Sequence, residues 1–296
     1  MTPNPYLKKL GFSDADRLVI IHTDDIGMCQ ASVAAFQHLW DFGTISSGAV
    51  MIPCPWFPAT AKMCRENPQM DMGVHATLNA EWTNYRWGPV STRDPESGLL
   101  DADGYFHQWH PAVYENAKPE AVAVEVNAQV ERALAAGIDA THVDSHMGTI
   151  VHPNFIQSYL QAALSRNLPP MLPRASAKGF DALGVSDEAM AVYSPILNQM
   201  EEQGIPMLDG LYGMPLRGEG DHLEIAKKLL AEAPVGITHF ILHPSVDTPE
   251  LRAIAPDWQG RVANYKAFMS QELKDFIKNS GIHLIGYRAI REAMRA

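Results

Sequence analysis

The sequence predicts an α/β protein built on a parallel sheet, and three observations carry that prediction. Short apolar runs alternate with helical patterns along the whole of the 296 residues. The runs are apolar throughout instead of at every second position, as in strands covered on both faces. Carboxylates and imidazoles recur where those runs stop, which is where α/β proteins keep their reacting groups. Strands alternating with helices imply βα units, and enough are present to close a barrel.

The elements follow in order. Arg17–His22 (RLVIIH) is a continuous apolar run that stops at Thr23-Asp24-Asp25. Gln30–Phe42 reads as a helix ended by Gly43. Ser47–Ile52 is a strand stopped by Pro53, and Asp71–His75 is a third strand. Val122, Val126, Val130 and Leu134, spaced four apart, form an apolar helix stripe closed by Gly137. Thr141–Asp144 is the fourth strand, Gly236–Leu242 a later one, Val262–Lys278 a helix and Ile282–Ile285 the last strand. Glu81–Pro111 breaks the rhythm: it is rich in Trp, Gly, Pro, Asp and Tyr and has no helical period. A structureless stretch of that length is functional or disordered, and its aromatics argue for the former. No repeat or linker interrupts the chain, so residues 1–296 read as one catalytic domain with a loop insertion at about 81–111.

Composition narrows the function. A hydrophobic fraction of 46% allows a sizeable core, and a net charge of −11 argues against a nucleic-acid groove, which needs clustered Lys and Arg. No apolar run is long enough to span a bilayer, and Met1–Leu10 is not followed by the apolar core of a secretory signal. Cys29, Cys54 and Cys64 lack metal-finger spacing and fit a reducing compartment, so the expectation is a cytoplasmic protein. There is no Gly-x-Ser-x-Gly elbow, and the Gly-Glu-Gly at Gly218–Gly220 reads as a turn, not a phosphate loop.

What remains is the set of residues at strand ends: Asp24-Asp25, His75, Asp144-Ser145-His146 and His243-Pro244. Singly, a strand-terminal Asp is often a helix cap and a lone His a core residue. Together they supply what metal-assisted hydrolysis uses. One carboxylate and two neutral imidazoles hold a divalent ion, a spare carboxylate takes a proton from water, and a protonated imidazole can serve the leaving group. Neighbouring side chains on a strand diverge, so one of Asp24 and Asp25 can ligate while the other faces the water.

The run His22-Thr23-Asp24-Asp25-Ile26-Gly27, then Gly73-Val74-His75, then Thr141-His142-Val143-Asp144-Ser145-His146, then Leu242-His243-Pro244 resembles the YdjC/ChbG-type carbohydrate deacetylases. These relatives of the polysaccharide deacetylases remove acetyl groups from N-acetylated sugars. The likeness runs from about Asp16 to Tyr287. It implies a distorted (β/α) barrel with one divalent ion, zinc or magnesium, at the carboxyl-terminal mouth. Asp25, His75 and His146 would be the metal ligands, Asp24 the general base and His243 the general acid; Arg174 would orient Asp24 or bind substrate. The family's His-rich run after Asp-Ser-His departs here, with Gly148 and Ile150 in place of imidazoles and His152 retained. The sugar itself is therefore left open.

Trp82, Tyr85, Trp87, Tyr105, Phe106 and Trp109 would either stack on a sugar or form a loop core or subunit contact. Trp82, Tyr85, Trp87 and His152 are the substrate-binding candidates. Trp40 and Trp258 read as packing, and His22, His38, His107, His110, His222, His239 and His283 as structural or surface. His142, two residues before Asp144, shares its side of the strand and stands apart from them. The expected partner is a small saccharide, without nucleic acid or membrane, and oligomerisation stays open. Two alternatives accompany the deacetylase reading: the same site acting on another amide or ester, and a sugar-binding barrel without turnover.

Overall fold

A computed structural model describes residues 2–179, 187–217 and 220–296. The Gly218-Glu219 part of the expected turn lies outside the described residues. Eight parallel strands form the sheet: β1 Arg17–Ile26, β2 Ser47–Val50, β3 Met72–Ala76, β4 Val143–Ser145, β5 Pro173–Lys178, β6 Leu208–Gly213, β7 Gly236–Leu242 and β8 Ile282–Leu284. Their spatial order is β4-β3-β2-β1-β7-β6-β5. The first half of β1 pairs with β8 (Arg17 opposite Ile282) and the second half with β2 (His22 opposite Ser47), while β7 runs along most of the strand. The two free edges meet just before β5, where the Val143 N–H donates to Pro169 O at 3.1 Å and the Met171 N–H to Val143 O at 2.9 Å. The sheet is thus a curled α/β barrel, closed at one seam by a few residues and not by a full strand pair.

Helices alternate with the strands: α1 Pro5–Lys9, α2 Gln30–Phe42, α3 Phe57–Glu66, α4 His110–Asn116, α5 Pro119–Ala135, α6 Ile156–Leu164, α7 Asp187–Glu202, α8 His222–Glu232, α9 Pro249–Ile254, α10 Trp258–Phe268, α11 Gln271–Asn279 and α12 Tyr287–Arg295. Helix α2 has the expected bounds, with Gly43 at φ 84° closing it in the left-handed conformation. The expected helix over 262–278 is two helices, broken at Met269-Ser270. In α5, Val122, Val126 and Val130 are fully buried but Leu134 is 39% exposed. Residues four apart advance about 40° per step around a helix, so the fourth member has left the face that the first defines. Strands β5 and β6 have no counterpart in the sequence reading.

The amino-terminal end of the barrel is plugged by Tyr6 and Leu7 of α1 and Tyr287 and Ile290 of α12, packed on Leu18, Ile20, Leu208 and Ile237. That leaves the carboxyl-terminal end as the mouth. The three cysteines are buried and unpaired, and no described helix is long and apolar enough to cross a membrane. The 81–111 segment packs onto the main core of the barrel: Trp82, Trp87, Leu99 and Phe106 are buried in it, while Tyr105 and Trp109 are exposed.

Candidate metal and catalytic site

Strand β1 extends four residues past its expected end, and its register with β2 slips between Thr23 and Ile26. Asp25 sits in this bulge at φ 60°, a left-handed conformation that Asp tolerates better than most residues. The bulge replaces the expected divergence of the two neighbours. Asp24 Oδ2 and Asp25 Oδ1 both come near His75 Nε2, at 3.9 and 3.5 Å. Asp24 is set beside His243 by the β1–β7 register, in which Thr23 faces Leu242. Its Oδ2 lies 3.7 Å from His243 Nε2.

Asp25, His75 and His146 offer ligand atoms that lie within 4.8 Å of one another, all buried. Each is held by an outer partner that turns one potential ligand atom inward. His75 Nδ1–H donates to Asp144 Oδ1 at 2.8 Å, directly across the β3–β4 pairing, so Nε2 is bare. That Nε2 is a buried nitrogen without a hydrogen-bond partner, which in a protein interior asks for an occupant. His146 bonds Glu81 Oε2 through Nε2 at 3.0 Å and Asp25 Oδ1 through Nδ1 at 3.1 Å, so a bound ion would take the place of the proton between Nδ1 and Oδ1. Arg261 Nη1 donates to Asp25 Oδ2 at 2.7 Å, freeing Oδ1. Imidazoles whose outer N–H is held by a carboxylate are the usual arrangement around a protein-bound metal. The donor set therefore fits a divalent ion. Other His/Asp groups share the barrel interior: His22 with His142 and Asp144, His22 with Asp24 and His239, and Asp24 with His75 and Asp144.

The electrostatics follow from this clustering. Burial pushes the Asp24 carboxyl upward, but the imidazoles of His75, His22 and His243 outweigh it and hold the group below the usual carboxylate range. Burial is likewise overcome at Asp25, chiefly by the Arg261 guanidinium and the His146 imidazole. Against burial, Asp144 and Asp24 raise His75 well above an ordinary histidine, and Glu81 and Asp25 raise His146 to about 9. His243 goes the other way, lowered by burial.

Not every expected site residue is here. Arg174 stands near the start of β5, at the plugged end of the barrel. Its guanidinium donates to Thr2 O at 3.0 Å and Asp209 Oδ1 at 2.9 Å, and pairs with Glu201. It cannot orient Asp24 from there; the arginine that bonds the aspartate pair is Arg261, on Asp25. His152 stacks on Tyr114 with ring centroids 4.0 Å apart, outside the cavity lining. Trp87 is buried with its indole N–H on Asn79 O, and Tyr85 donates its hydroxyl to Met28 O, so both are structural. Trp82 does line the cavity and lies under the Arg261 guanidinium at 5.2 Å. Ile150 is fully buried, whereas Gly148, at φ 68° beside Met147 at φ 52°, lies at the cavity wall.

The mouth opens into a cavity of about 1300 Å³. Its lining combines Asp24, Asp25, Glu81, His146, His243 and Arg261 with apolar side chains including Met171, Leu197, Leu211, Leu229 and Ile241.

A parallel α/β barrel that gathers two imidazoles and a carboxylate around a bare nitrogen at its mouth, with a second carboxylate beside them, is the framework of a hydrolase with a candidate divalent-metal centre. The chain belongs to the YdjC-like protein family, which matches residues 18–279. It is 30% identical over 289 residues to a carbohydrate deacetylase from Thermus thermophilus, covering 97% of this chain and 98% of the relative. A carbohydrate deacetylase from Thermoanaerobacter pseudethanolicus is 21% identical over 93% of this chain and 100% of its own. Among solved structures, an Enterococcus faecalis V583 protein with a provisional description as a cellobiose-phosphate cleavage protein superposes with a TM-score of 0.75 at 21% identity. That superposition covers 93% of this chain and 99% of the other.

Proposed function

We propose that the protein is a metal-dependent hydrolase that removes the acetyl group from an N-acetylated saccharide, acting in the cytoplasm. The observation that carries the reading is the position of Asp24 Oδ2, 3.7 Å from His243 Nε2 and 3.9 Å from the bare Nε2 of His75. A site that only held a metal would need neither a second carboxylate nor a second imidazole there. Relatives named as carbohydrate deacetylases over the full chain length support the substrate class.

Asp25, His75 and His146 would hold one zinc or magnesium ion, which polarises an acetamide carbonyl and acidifies water. Asp24, kept ionised by its neighbours, takes a proton from the attacking water at Oδ2, because Oδ1 is engaged by His22 at 2.8 Å. His243 gives a proton to the nitrogen as the C–N bond breaks. Burial lowers its proton affinity, so it rests neutral, and the proton that Asp24 Oδ2 takes from water crosses the 3.7 Å gap to it before passing on to the nitrogen. Water's hydroxyl ends on acetate and its proton on the amine, so the cycle closes without another reactant. The exposed face of Trp109 and the edge of Trp82 line the same cavity and offer apolar surfaces to a sugar ring.

The apolar share of the cavity lining favours a saccharide that carries an apolar group beside its acetamide-bearing ring over a wholly polar oligosaccharide. The test combines metal content by elemental analysis with acetate release from N-acetylglucosaminides whose alkyl aglycones increase in length. Stoichiometric metal, acetate release and a KM that falls with chain length are expected. No bound metal after reconstitution, or metal without acetate from any member, would overturn the reading.

A further inference from the structure

Below the mouth, a chain of hydrogen bonds runs from Asp24 toward the plugged end of the barrel. His22 Nδ1 lies 2.8 Å from Asp24 Oδ1, and His22 Nε2 lies 3.0 Å from His142 Nε2. His142 Nδ1 is 3.0 Å from Thr141 Oγ1, which is 2.6 Å from Asp71 Oδ1. His22, His142 and Thr141 are fully buried and Asp71 is 3% exposed. Room is made for this chain: a Cβ on Gly73 would meet the His142 ring at 2.4 Å, and one on Gly286 would meet Asp71 Oδ2 at 2.3 Å.

The direction of each bond can be worked out from the far end. Asp71 also receives the Ser47 hydroxyl at 2.8 Å and the backbone N–H of Arg288 at 2.6 Å, so it is an acceptor on both oxygens. Thr141 has one proton and gives it to Asp71, so its oxygen can only accept from His142 Nδ1–H. A neutral imidazole has one N–H. His142, which burial and the nearby imidazoles push well below an ordinary histidine, is neutral, so its Nε2 is bare. The link to His22 must then be carried by His22 Nε2–H. His22 Nδ1 faces a carboxylate oxygen at 2.8 Å, where a bare nitrogen would set lone pair against lone pair. It too carries a proton.

We propose that His22 is a standing imidazolium, the positively charged positioning partner of Asp24, and that Asp71 imposes this charge on it through Thr141 and His142. Every group facing His22 is consistent with a cation. Asp24 lies on its own strand, and Asp144 Oδ2 on β4 is 3.4 Å from Nε2. His239 of β7 lies tilted against it at 4.6 Å and is itself driven neutral by burial, while Tyr287 of α12 presents an edge at 6.2 Å and bonds His239 Nδ1. His22 thus does for Asp24 what the sequence assigned to Arg174.

The charge is read directly by nitrogen-15 NMR of histidine-labelled full-length protein, with the His22 signals assigned by their loss in His22→Gln. Both ring nitrogens of His22 are expected in the N–H form near neutral pH. Asp71→Asn should reverse the chain without breaking it. The fixed Arg288 N–H claims the amide oxygen, the amide nitrogen turns to Thr141, and each link flips until His22 is neutral with its proton on Nδ1. Thr141→Val, nearly isosteric, frees His142 to move its proton to Nε2 and gives the same signature should Asp71→Asn fail to fold. A neutral His22 in the unaltered protein, or a doubly protonated His22 surviving both substitutions, would overturn the proposal. The consequence for turnover rests on the deacetylase reading: kcat falls about tenfold in Asp71→Asn with KM unchanged, since a charge-assisted bond becomes a neutral one. An unchanged kcat beside the expected spectra would remove the positioning role but not the charge. Expected spectra without acetate release from any substrate would count against the deacetylase reading alone.

Discussion

Asp144→Asn tests the metal centre at the atom on which it depends. Asp144 Oδ1 accepts the Nδ1–H of His75 at 2.8 Å, and this bond keeps the bare Nε2 pointed at the space it shares with Asp25 Oδ1, 3.5 Å away. An asparagine oxygen can still accept that proton but brings no charge, so the imidazole becomes a poorer ligand with looser orientation. Loss of an outer carboxylate of this kind typically weakens metal binding about 10- to 100-fold, or roughly 1.4 to 2.7 kcal/mol. A second effect opposes it at low pH. Asp144 is the foremost cause of the raised proton affinity of His75, so the substitution also leaves less proton for a metal to displace. The deficit should therefore be largest above pH about 9, where His146 has also lost its proton, and shrink on acidification. Competition of zinc against a chromophoric chelator across that range measures it. Affinity equal to or tighter than that of the unaltered protein at the alkaline end would refute the assigned ligand set.

Asp24→Asn should bind metal within a few-fold of the unaltered protein and lose roughly 10²- to 10⁴-fold in kcat, while His146→Ala should lose the metal; equilibrium dialysis with acetate release separates the two. Because His146 is raised to about 9 and His75 is raised as well, metal binding must expel a proton from each, so affinity should climb more than tenfold per pH unit from pH 7 toward 9, with proton release seen by calorimetry in two buffers. The same shift stabilises the metal-free fold below pH about 6.5, and that stabilisation is lost as pH rises through 9, which thermal melts of chelator-treated protein would show. Arg174→Met should lower Tm by roughly 2 to 6 °C, because it takes the guanidinium from the half-buried Asp209, which keeps only the Asn4 amide and the Ile237 N–H, and leave kcat unchanged; a lower kcat at constant Tm would mean that Arg174 reaches the site after all.

Much of the fold was legible because a buried parallel strand is an uninterrupted apolar run, as in Gly236–Leu242, whose bounds are those of β7. Strands β5 (PRASAK) and β6 (LDGLYG) were not, since Pro, Lys, Asp and Gly interrupt them at the positions where such a run would show. They supply Pro173, Leu211 and Gly213 to the cavity lining, and a strand open to a cavity is not pressed to be apolar on both faces. The break between α10 and α11 has no Gly or Pro to announce it. Only Ser270, a residue type favoured at helix starts, hints at it.

The candidate ligands were legible for a chain-local reason: each ends a strand, and the barrel puts strand ends together. Their supports were not, because support is a property of the folded neighbourhood. Arg261 and Asp257, four apart on or beside one helix, look like an ordinary surface ion pair, and nothing in the chain says that Asp25, 236 residues away, shares the guanidinium. Glu81 carried a weak signal, a carboxylate six residues beyond His75 at the start of the long loop. His22 carried a stronger one. The alternation that set His142 beside Asp144 applies equally to His22 and Asp24, two residues apart on β1, so both imidazoles and both carboxylates point into the barrel from opposite walls. Two such His-x-Asp pairs facing each other must bring ring nitrogens together, and the 3.0 Å contact between His22 and His142 is the result. A proton has to sit in that contact, and which ring supplies it decides the charge beside Asp24. Here the deciding residue is Asp71, which ends no strand and lies at the barrel's far end.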